Sequence, residues 1–272
     1  MKVHKWSEEQ VKSAKKPNYS KLYVIAPALM NLIGDVKNKK ILEIGCGDGY
    51  WLRILNKKGA RCTGFDISKK QIKSAESENK EKEIKYFVAD GSEEINLENN
   101  SFDVILLEHV ILEISELSKI KKIFKQTQKL LKENGFLIVG DIHPFAPETN
   151  FPNVEVEKEY NYFKSGFPFK IVSKKPDGSV TRYTDFHWTV QDLINSITET
   201  GLKITKILEP TPNKKTVEKY PYLNRNSLKF DHSSHLNKHF ENPKFSAKGP
   251  KSCMGCHQVT LSDREVRPQA FE

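Results

Sequence analysis

Short apolar runs alternate with amphipathic segments from about residue 39 to residue 141. Short apolar stretches bounded by turn residues are typical of strands buried on both faces, whereas apolar residues three and four apart indicate helices. Five strands are predicted, at residues 40–44, 62–67, 84–89, 102–107 and 136–140. Helices are predicted between them, at residues 50–58, 69–79 and 113–132. This alternation predicts an α/β, Rossmann-like, doubly wound and mostly parallel sheet with helices on both faces.

Residues at the ends of these segments refine the boundaries. Ser68 is a natural N-cap for the helix that follows it, and Thr189 is one for a later helix that Gly201 ends. Gly135 stands after the longest helix, where a helix-ending residue with positive φ is expected. A sixth strand is predicted at residues 202–208.

The length of the chain predicts further segments besides this sheet. At 272 residues the chain exceeds the usual single domain of roughly 100–200 residues. We expect a main domain at residues 1–222, with an N-terminal cap at 1–35, and a tail of uncertain structure at 223–272. Residues 144–179 are rich in aromatic and charged side chains and contain no long periodic segment, so we expect an aromatic-rich lid insertion at about residues 144–188.

The net charge does not change the predicted class of protein. The formal net charge is +9, but the excess is dispersed lysine with very little arginine, which favours a solvated surface over a nucleic-acid partner. An RNA partner therefore stays a minority alternative. No apolar run approaches the ~18 residues of a membrane span, and the first sixteen residues lack a signal-peptide core. We expect a cytoplasmic protein; the sequence does not indicate its oligomeric state.

Three glycines follow the first predicted strand, and acidic residues follow the next two. Gly45, Gly47 and Gly49 permit a tight turn and close approach of the backbone to a ligand, as nicotinamide, flavin and methyl-donor sites all require. Asp66 and Asp90 end the second and third strands, where carboxylates can accept hydrogen bonds from ribose hydroxyls and an adenine amino group. The carboxyl ends of parallel strands form one crevice, so these residues predict one nucleoside-binding site.

This constellation resembles the class I S-adenosylmethionine-dependent methyltransferases, and within them a branch acting on small molecules. The matching segments are residues 41–49, 65–68, 90–91, 101–103, 130–136, 141–145, 186–189 and 209–210. The resemblance implies S-adenosylmethionine as cofactor, bound by residues at the ends of four strands. These residues are Glu43, Gly45, Cys46, Gly47, Asp66, Ile67, Asp90, Gly91 and Glu108.

A sulfonium methyl group is already activated, so such an enzyme mainly aligns the acceptor and excludes water. No metal is expected in the main domain, and a general base helps only when the acceptor arrives protonated. His109, His143 and His187 are weak candidates for that base, and for each of them a structural hydrogen bond is the favoured alternative. The acceptor is expected to be a small molecule, with RNA or protein as the alternative.

The tail does not fit this family. Cys253, Cys256 and His257 form the attachment pattern of c-type haem, and the segment around His232 and His235 resembles one that precedes such sites in small multihaem cytochromes. The same side chains could instead hold zinc. A haem- or zinc-binding redox or structural role is therefore an alternative of another class. A third interpretation is a remnant without a ligand. Residues 227–230 begin where the family has its seventh strand, but the sequence that follows predicts that this strand is truncated or absent.

Overall fold

The computed structural model describes most of the chain, and its placed residues are 21–79, 83–144, 154–157, 160–174, 180–210, 259–262 and 265–268. The chain divides into two compact units, Met1–Tyr222 and Leu223–Glu272. The described helices of the first unit are a π-helical turn Lys21–Ile25, α1 Ala26–Ile33, α2 Tyr50–Asn56, α3 Lys69–Glu78, a 3₁₀ turn Ile111–Glu113, α4 Leu117–Leu130 and α5 Val190–Thr198. Its described strands are β1 Lys40–Ile44, β2 Arg61–Asp66, β3 Lys85–Val88, β4 Phe102–Glu108, β5 Leu131–Gly140, β6 Val154–Glu157, β7 Phe167–Lys174 and β8 Val180–His187.

The first five strands form one parallel sheet in the order β3-β2-β1-β4-β5, as the sequence predicts. The chain leaves β1 toward β2 and β3 on one side and returns to β4 and β5 on the other. The strand order therefore reverses between β1 and β4, and open α/β sheets bind ligands outside the carboxyl ends of their strands at such a point.

Each face of the sheet is covered by its own apolar cluster, because successive side chains of a strand point to opposite faces. Ile41 packs with Leu52 and Leu55 of α2 on one face. Leu42, the next residue, packs with Ile120 and Phe124 of α4 on the other. This two-layer covering confirms the predicted doubly wound arrangement with helices on both faces.

The helix caps follow the sequence prediction at two positions. The Ser68 hydroxyl accepts a hydrogen bond from the amide of Gln71 (3.3 Å) at the start of α3. Thr189 and Asp192 form a reciprocal capping box at the start of α5. Such caps satisfy amide donors that the helix cannot pair internally, and each stabilises a helix by about 1 kcal/mol.

The structure requires glycine at position 135, but not for the predicted reason, a positive φ at the end of a helix. Gly135 lies within β5 and is not among the residues with positive φ, and α4 ends with Leu131 in an extended conformation. A Cβ at Gly135 would lie 2.8 Å from the carbonyl oxygen of Phe102. Glycine is therefore needed there for close approach of two backbones and not for a left-handed turn.

The predicted sixth strand, at residues 202–208, is also absent: this described segment has no regular structure. Leu202 packs partly against the core, but Ile207 is 70% exposed and Leu208 43% exposed. A strand of the central sheet would bury such residues on at least one face. The strand was predicted from the run of apolar residues alone, but this segment does not pack along β5.

The insertion is more regular than the sequence indicates. β6, β7 and β8 form a three-stranded antiparallel sheet in which Phe169 pairs with Asp185. The strands of the insertion were not predicted, because proline and charged residues interrupt the alternation by which strands are recognised. Phe169 and Asp185 are both buried, so one face of this small sheet is covered.

In the second unit the described residues form one antiparallel pair, β9 Val259–Ser262 and β10 Glu265–Pro268. The predicted haem or zinc ligands of the tail lie outside the described residues, and so does the segment expected to carry a seventh strand. These tail ligands are Cys253, Cys256, His257, His232 and His235. Among the helices that the structure describes, none is long and apolar enough to cross a membrane.

Candidate functional site

The turn after β1 has the backbone conformation that only glycine adopts without strain. Gly45, Gly47 and Gly49 have φ values of 70°, 55° and 76°. A Cβ on Gly45 would lie 2.5 Å from Val110, and one on Gly49 would lie 2.2 Å from the Tyr86 hydroxyl oxygen. Two of the three glycines are therefore also required by close packing.

Gly47 differs from the other two because a Cβ there would meet no atom within 4 Å. Its amide N–H donates to Oδ2 of Asp66 (2.9 Å), and the Ser68 N–H donates to Oδ1 (2.7 Å). Burial raises the pKa of Asp66 above its usual value, while these two backbone donors oppose the shift. The turn and the end of β2 thus hold a carboxylate at fixed orientation beside open space, with lone pairs left for another donor.

Asp90 follows β3 at the same edge of the sheet. The amide and hydroxyl of Ser92 both donate to its Oδ1, at 2.9 Å and 2.7 Å, which fixes the side chain in a local turn. Ile67 is 41% exposed and Val88 49% exposed, at the ends of β2 and β3. The edge therefore offers two carboxylates and two uncovered apolar side chains, the combination that a nucleoside requires.

Glu43 is the most unusual polar residue of the sheet. It lies in β1 with 2% exposure, and its Oε2 has no hydrogen-bond partner among the described residues. Burial first, and the nearby Glu108 carboxylate second, raise the pKa of Glu43 well above its usual value. A buried carboxyl oxygen without a donor is costly to folding, so Glu43 is a candidate to accept a hydrogen bond from a ligand.

Glu108 ends β4 and is held by two donors. The indole N–H of Trp51 donates to its Oε2 (3.0 Å), and Nδ1 of His109 forms a close ion pair with its Oε1. Burial raises the pKa of Glu108, but His109 and Trp51 outweigh it and the net shift is downward. Burial lowers the pKa of His109, whereas Glu108 raises it more strongly, to about 9.

This pairing bears on the role of His109. A histidine with a pKa near 9 carries its proton at neutral pH, so His109 is suited to hold a charge and not to remove a proton. Its φ of 54° places it in the left-handed region, and its side chain is 39% exposed. Solvent therefore screens part of the pairing with Glu108.

The other two histidine candidates are arranged differently. His143 is half exposed, and its Nε2 lies 3.3 Å from the exposed Glu209 carboxylate. His187 is 3% exposed; its Nε2 donates to the Tyr162 carbonyl (2.7 Å), and its Nδ1 lies 2.6 Å from the Tyr160 hydroxyl. Both ring nitrogens of His187 are occupied, which favours a structural role in holding the insertion.

Cys46 and Gly91 place backbone atoms, and no exposed side chain, at the turns after β1 and β3. Cys46 is 5% exposed, its amide donates to the Phe65 carbonyl (3.0 Å), and burial raises the pKa of its thiol. A Cβ on Gly91 would lie 3.1 Å from the Ile44 side chain. The side chain of Cys46 therefore packs in the core, and Gly91 permits close packing of the turn after β3.

A pocket that the sequence did not indicate lies beyond the ends of β4 and β5. Its walls include Ile111, Asp141, Phe169, Asp185, Trp188 and Leu193. The amides of Leu112 and Ile142 donate to the Asp141 carboxylate, at 3.2 Å and 2.7 Å. Burial raises the pKa of Asp141 to about 6, and burial together with the Asp141 charge raises that of Asp185 to about 7.

The sequence offered a signal for Asp141 but not for Asp185. Asp141 directly follows the fifth predicted strand, as Asp90 follows the third, and Asp66 lies near the end of the second. Asp185 lies at an inward-facing position of β8. Because β8 was not predicted as a strand, its inward-facing side chains could not be predicted either. Among the described residues, no group of His, Cys, Asp and Glu side chains is arranged to hold a metal ion.

Part of the chain is similar to known methyltransferases. Residues 42–139 match the family model described as "Methyltransferase domain". The chain is 32% identical over 108 residues to a ubiquinone biosynthesis O-methyltransferase of Pelagibacter ubique, covering 40% of this chain and 44% of that protein. It is 26% identical over 191 residues to a putative methyltransferase of Geobacillus, covering 62% of this chain and 76% of the relative. The chain thus spans less than half the length of the Pelagibacter relative.

Solved structures show the same fold. An S-adenosylmethionine-dependent methyltransferase from Mesorhizobium loti superposes with a TM-score of 0.54 at 20% identity, over 73% of this chain and 90% of that one. A putative one from Listeria monocytogenes gives 0.54 at 20% identity, over 73% and 89%. Residues 42–139 are therefore similar to a methyltransferase domain, and the described part of the first unit shares the Rossmann-like fold of these structures.

Proposed function

We propose that the protein transfers the methyl group of S-adenosylmethionine to a nucleophilic O, N or C atom of a small-molecule acceptor. The observation that carries the proposal is the pairing of Gly47 with Asp66 beside open space. The names of the curated relatives, among them a ubiquinone biosynthesis O-methyltransferase, support a small-molecule acceptor.

The residues present fit this cofactor. Asp66 would hold its ribose hydroxyls and Asp90 its adenine amino group, with Ile67 and Val88 covering the adenine ring. The glycine turn would leave room for the methionine part, and the orphaned Oε2 of Glu43 suits a cationic group nearby. When bound, S-adenosylmethionine supplies a methyl group already activated by the positive sulfur.

The chain's own groups then have three tasks. The turn and Asp66 orient the donor, since both are fixed by backbone hydrogen bonds. The Glu108–His109 pair, fixed by Trp51, keeps a carboxylate ionised at the end of β4. The apolar walls of the pocket beyond β5, including Phe169 and Trp188, exclude water from the acceptor.

The experiment is calorimetric titration of S-adenosylmethionine into the wild-type protein, Asp66→Ala and Asp66→Asn. We expect one site in the wild type and at least about tenfold weaker binding in both variants, because each loses a charged acceptor worth more than about 1.4 kcal/mol. Asp35→Ala is the matched control, since Asp35 is exposed and accepts only from the nearby Lys37 amide. Absence of binding to the wild type, or unchanged binding to both Asp66 variants, would refute the proposal.

A further inference from the structure

The pocket beyond β5 contains a carboxylate that accepts no hydrogen bond from the residues that the structure describes. Asp185 is 6% exposed, yet no described residue donates a hydrogen bond to it. Buried carboxylates in folded proteins are almost always paired or hydrogen-bonded, since an unpaired one costs several kcal/mol or takes up a proton. An unsatisfied group aimed into a pocket therefore points to a ligand that supplies the missing donor.

The neighbouring groups define what that ligand can be. Asp141, after β5, faces the same space, but its two oxygens already accept from backbone amides. The charged His109, after β4, is paired with Glu108, while His143 and His187 line the pocket and have partners of their own. Among the described residues no cation forms an ion pair with Asp185; the His109 charge lowers the pKa of Asp185, but burial and Asp141 raise it more. Two carboxyl groups thus line one cavity.

We propose that this pocket binds the methyl acceptor, that the acceptor is an uncharged or cationic apolar molecule whose nucleophile bears a proton, and that Asp185 receives that proton. An amine or a hydroxyl group has this chemistry, whereas a carboxylate or phosphate would add a third negative charge to a low-dielectric cavity. Phe169 and Trp188 provide flat apolar walls for the body of such a molecule. The inference rests on the proposed function.

The proton balance of the step is complete with groups already named. The acceptor atom forms a bond to the methyl carbon, and the carbon–sulfur bond breaks with its electron pair staying on sulfur, which becomes neutral. A hydroxyl acceptor gives its proton to the Asp185 carboxylate as this bond forms, and a protonated amine gives one before it, which frees the nitrogen lone pair; the proton then passes to water. Burial and the adjacent Asp141 raise the pKa of Asp185 to about 7, which matches a group that takes up and releases a proton near neutral pH.

The test uses three probes of one shape, benzylamine, benzyl alcohol and benzoate, with binding followed by saturation-transfer NMR on the full chain. We expect benzylamine or benzyl alcohol to bind and benzoate to bind at least about tenfold more weakly. Asp185→Asn should weaken the bound probe at least about fivefold, and Glu199→Gln, which removes a carboxylate from an exposed ion pair with Lys121, should not. Equal binding of benzoate, no binding of the other two, or unchanged binding in Asp185→Asn would each overturn the proposal.

A second measurement separates this proposal from the one on which it rests. Asp185→Asn should bind S-adenosylmethionine as the wild type does, because Asp185 lies on β8 and not in the glycine turn. If the wild type does not bind S-adenosylmethionine but the probes behave as expected, the proposed function fails and the pocket assignment stands. If S-adenosylmethionine binds to both proteins and the probes do not discriminate, only the pocket assignment fails.

Discussion

Replacing Asp185 by asparagine removes a buried charge and keeps the size and shape of the side chain. In the unfolded chain the Asp185 carboxyl titrates near its ordinary 3.8, and in the folded protein its pKa is raised to about 7. Between these pH values the folded state binds the proton more tightly than the unfolded state does. The wild-type protein should therefore lose stability as pH rises through this window, and Asp185→Asn should not.

The magnitude follows from the two pKa values. Each pH unit between them corresponds to about 1.36 kcal/mol, so an ionised Asp185 costs the fold about 4 kcal/mol at alkaline pH. Roughly 1.5 kcal/mol of this cost is already present at pH 5, where the unfolded carboxyl is mostly ionised. The stability advantage of Asp185→Asn over the wild type should therefore grow by about 2–3 kcal/mol between pH 5 and pH 8.

The assay is urea unfolding of wild type, Asp185→Asn and Glu199→Gln at pH 5 and pH 8, followed by circular dichroism. Glu199→Gln removes an exposed carboxylate and should keep the pH dependence of the wild type. The predicted pH dependence is wrong if wild type and Asp185→Asn differ in free energy of unfolding by the same amount at both pH values. It is also wrong if the variant loses stability relative to the wild type as pH rises. Either result would mean that Asp185 has a donor in the folded state.

Three further substitutions separate packing from binding. Gly49→Ala should destabilise the protein by more than about 2 kcal/mol in urea unfolding, because its Cβ would collide with the Tyr86 hydroxyl; a loss below about 1 kcal/mol would contradict the packing. Gly47→Ala places its Cβ in open space, so it should cost only about 1 kcal/mol of strain and yet weaken S-adenosylmethionine binding by calorimetry. Unchanged affinity would show that no ligand approaches the turn there. Thr189→Ala removes half of a capping box and should cost about 1–2 kcal/mol in thermal unfolding; no shift in midpoint would show that α5 does not depend on its cap.

The central sheet could be predicted from the sequence because its signals are local. A strand buried on both faces is a short apolar run, and Ser68 and Thr189 are caps whose chemistry depends on residues three positions away. The placement of Asp66 and Asp90 at one edge follows from the parallel arrangement alone. These features need no knowledge of what packs against what.

The features that failed depend on distant partners. Residues 202–208 have the composition of a strand, but a strand also needs a sheet edge against which to pair, and this segment remains exposed. Gly135 was assigned to a helix end, whereas its neighbour is the Phe102 carbonyl across the sheet. Asp185 and its pocket exist only because β8 brings a strand of the insertion to the ends of β4 and β5.

The binding site as a whole can be tested by one comparison of ligands. Calorimetric titration of the wild-type protein with S-adenosylmethionine and, separately, with NAD⁺ asks which cofactor the Gly45–Gly49 turn and the carboxylates of Asp66 and Asp90 accept. We expect a single site for S-adenosylmethionine and no detectable binding of NAD⁺. Binding of NAD⁺ without binding of S-adenosylmethionine would contradict it.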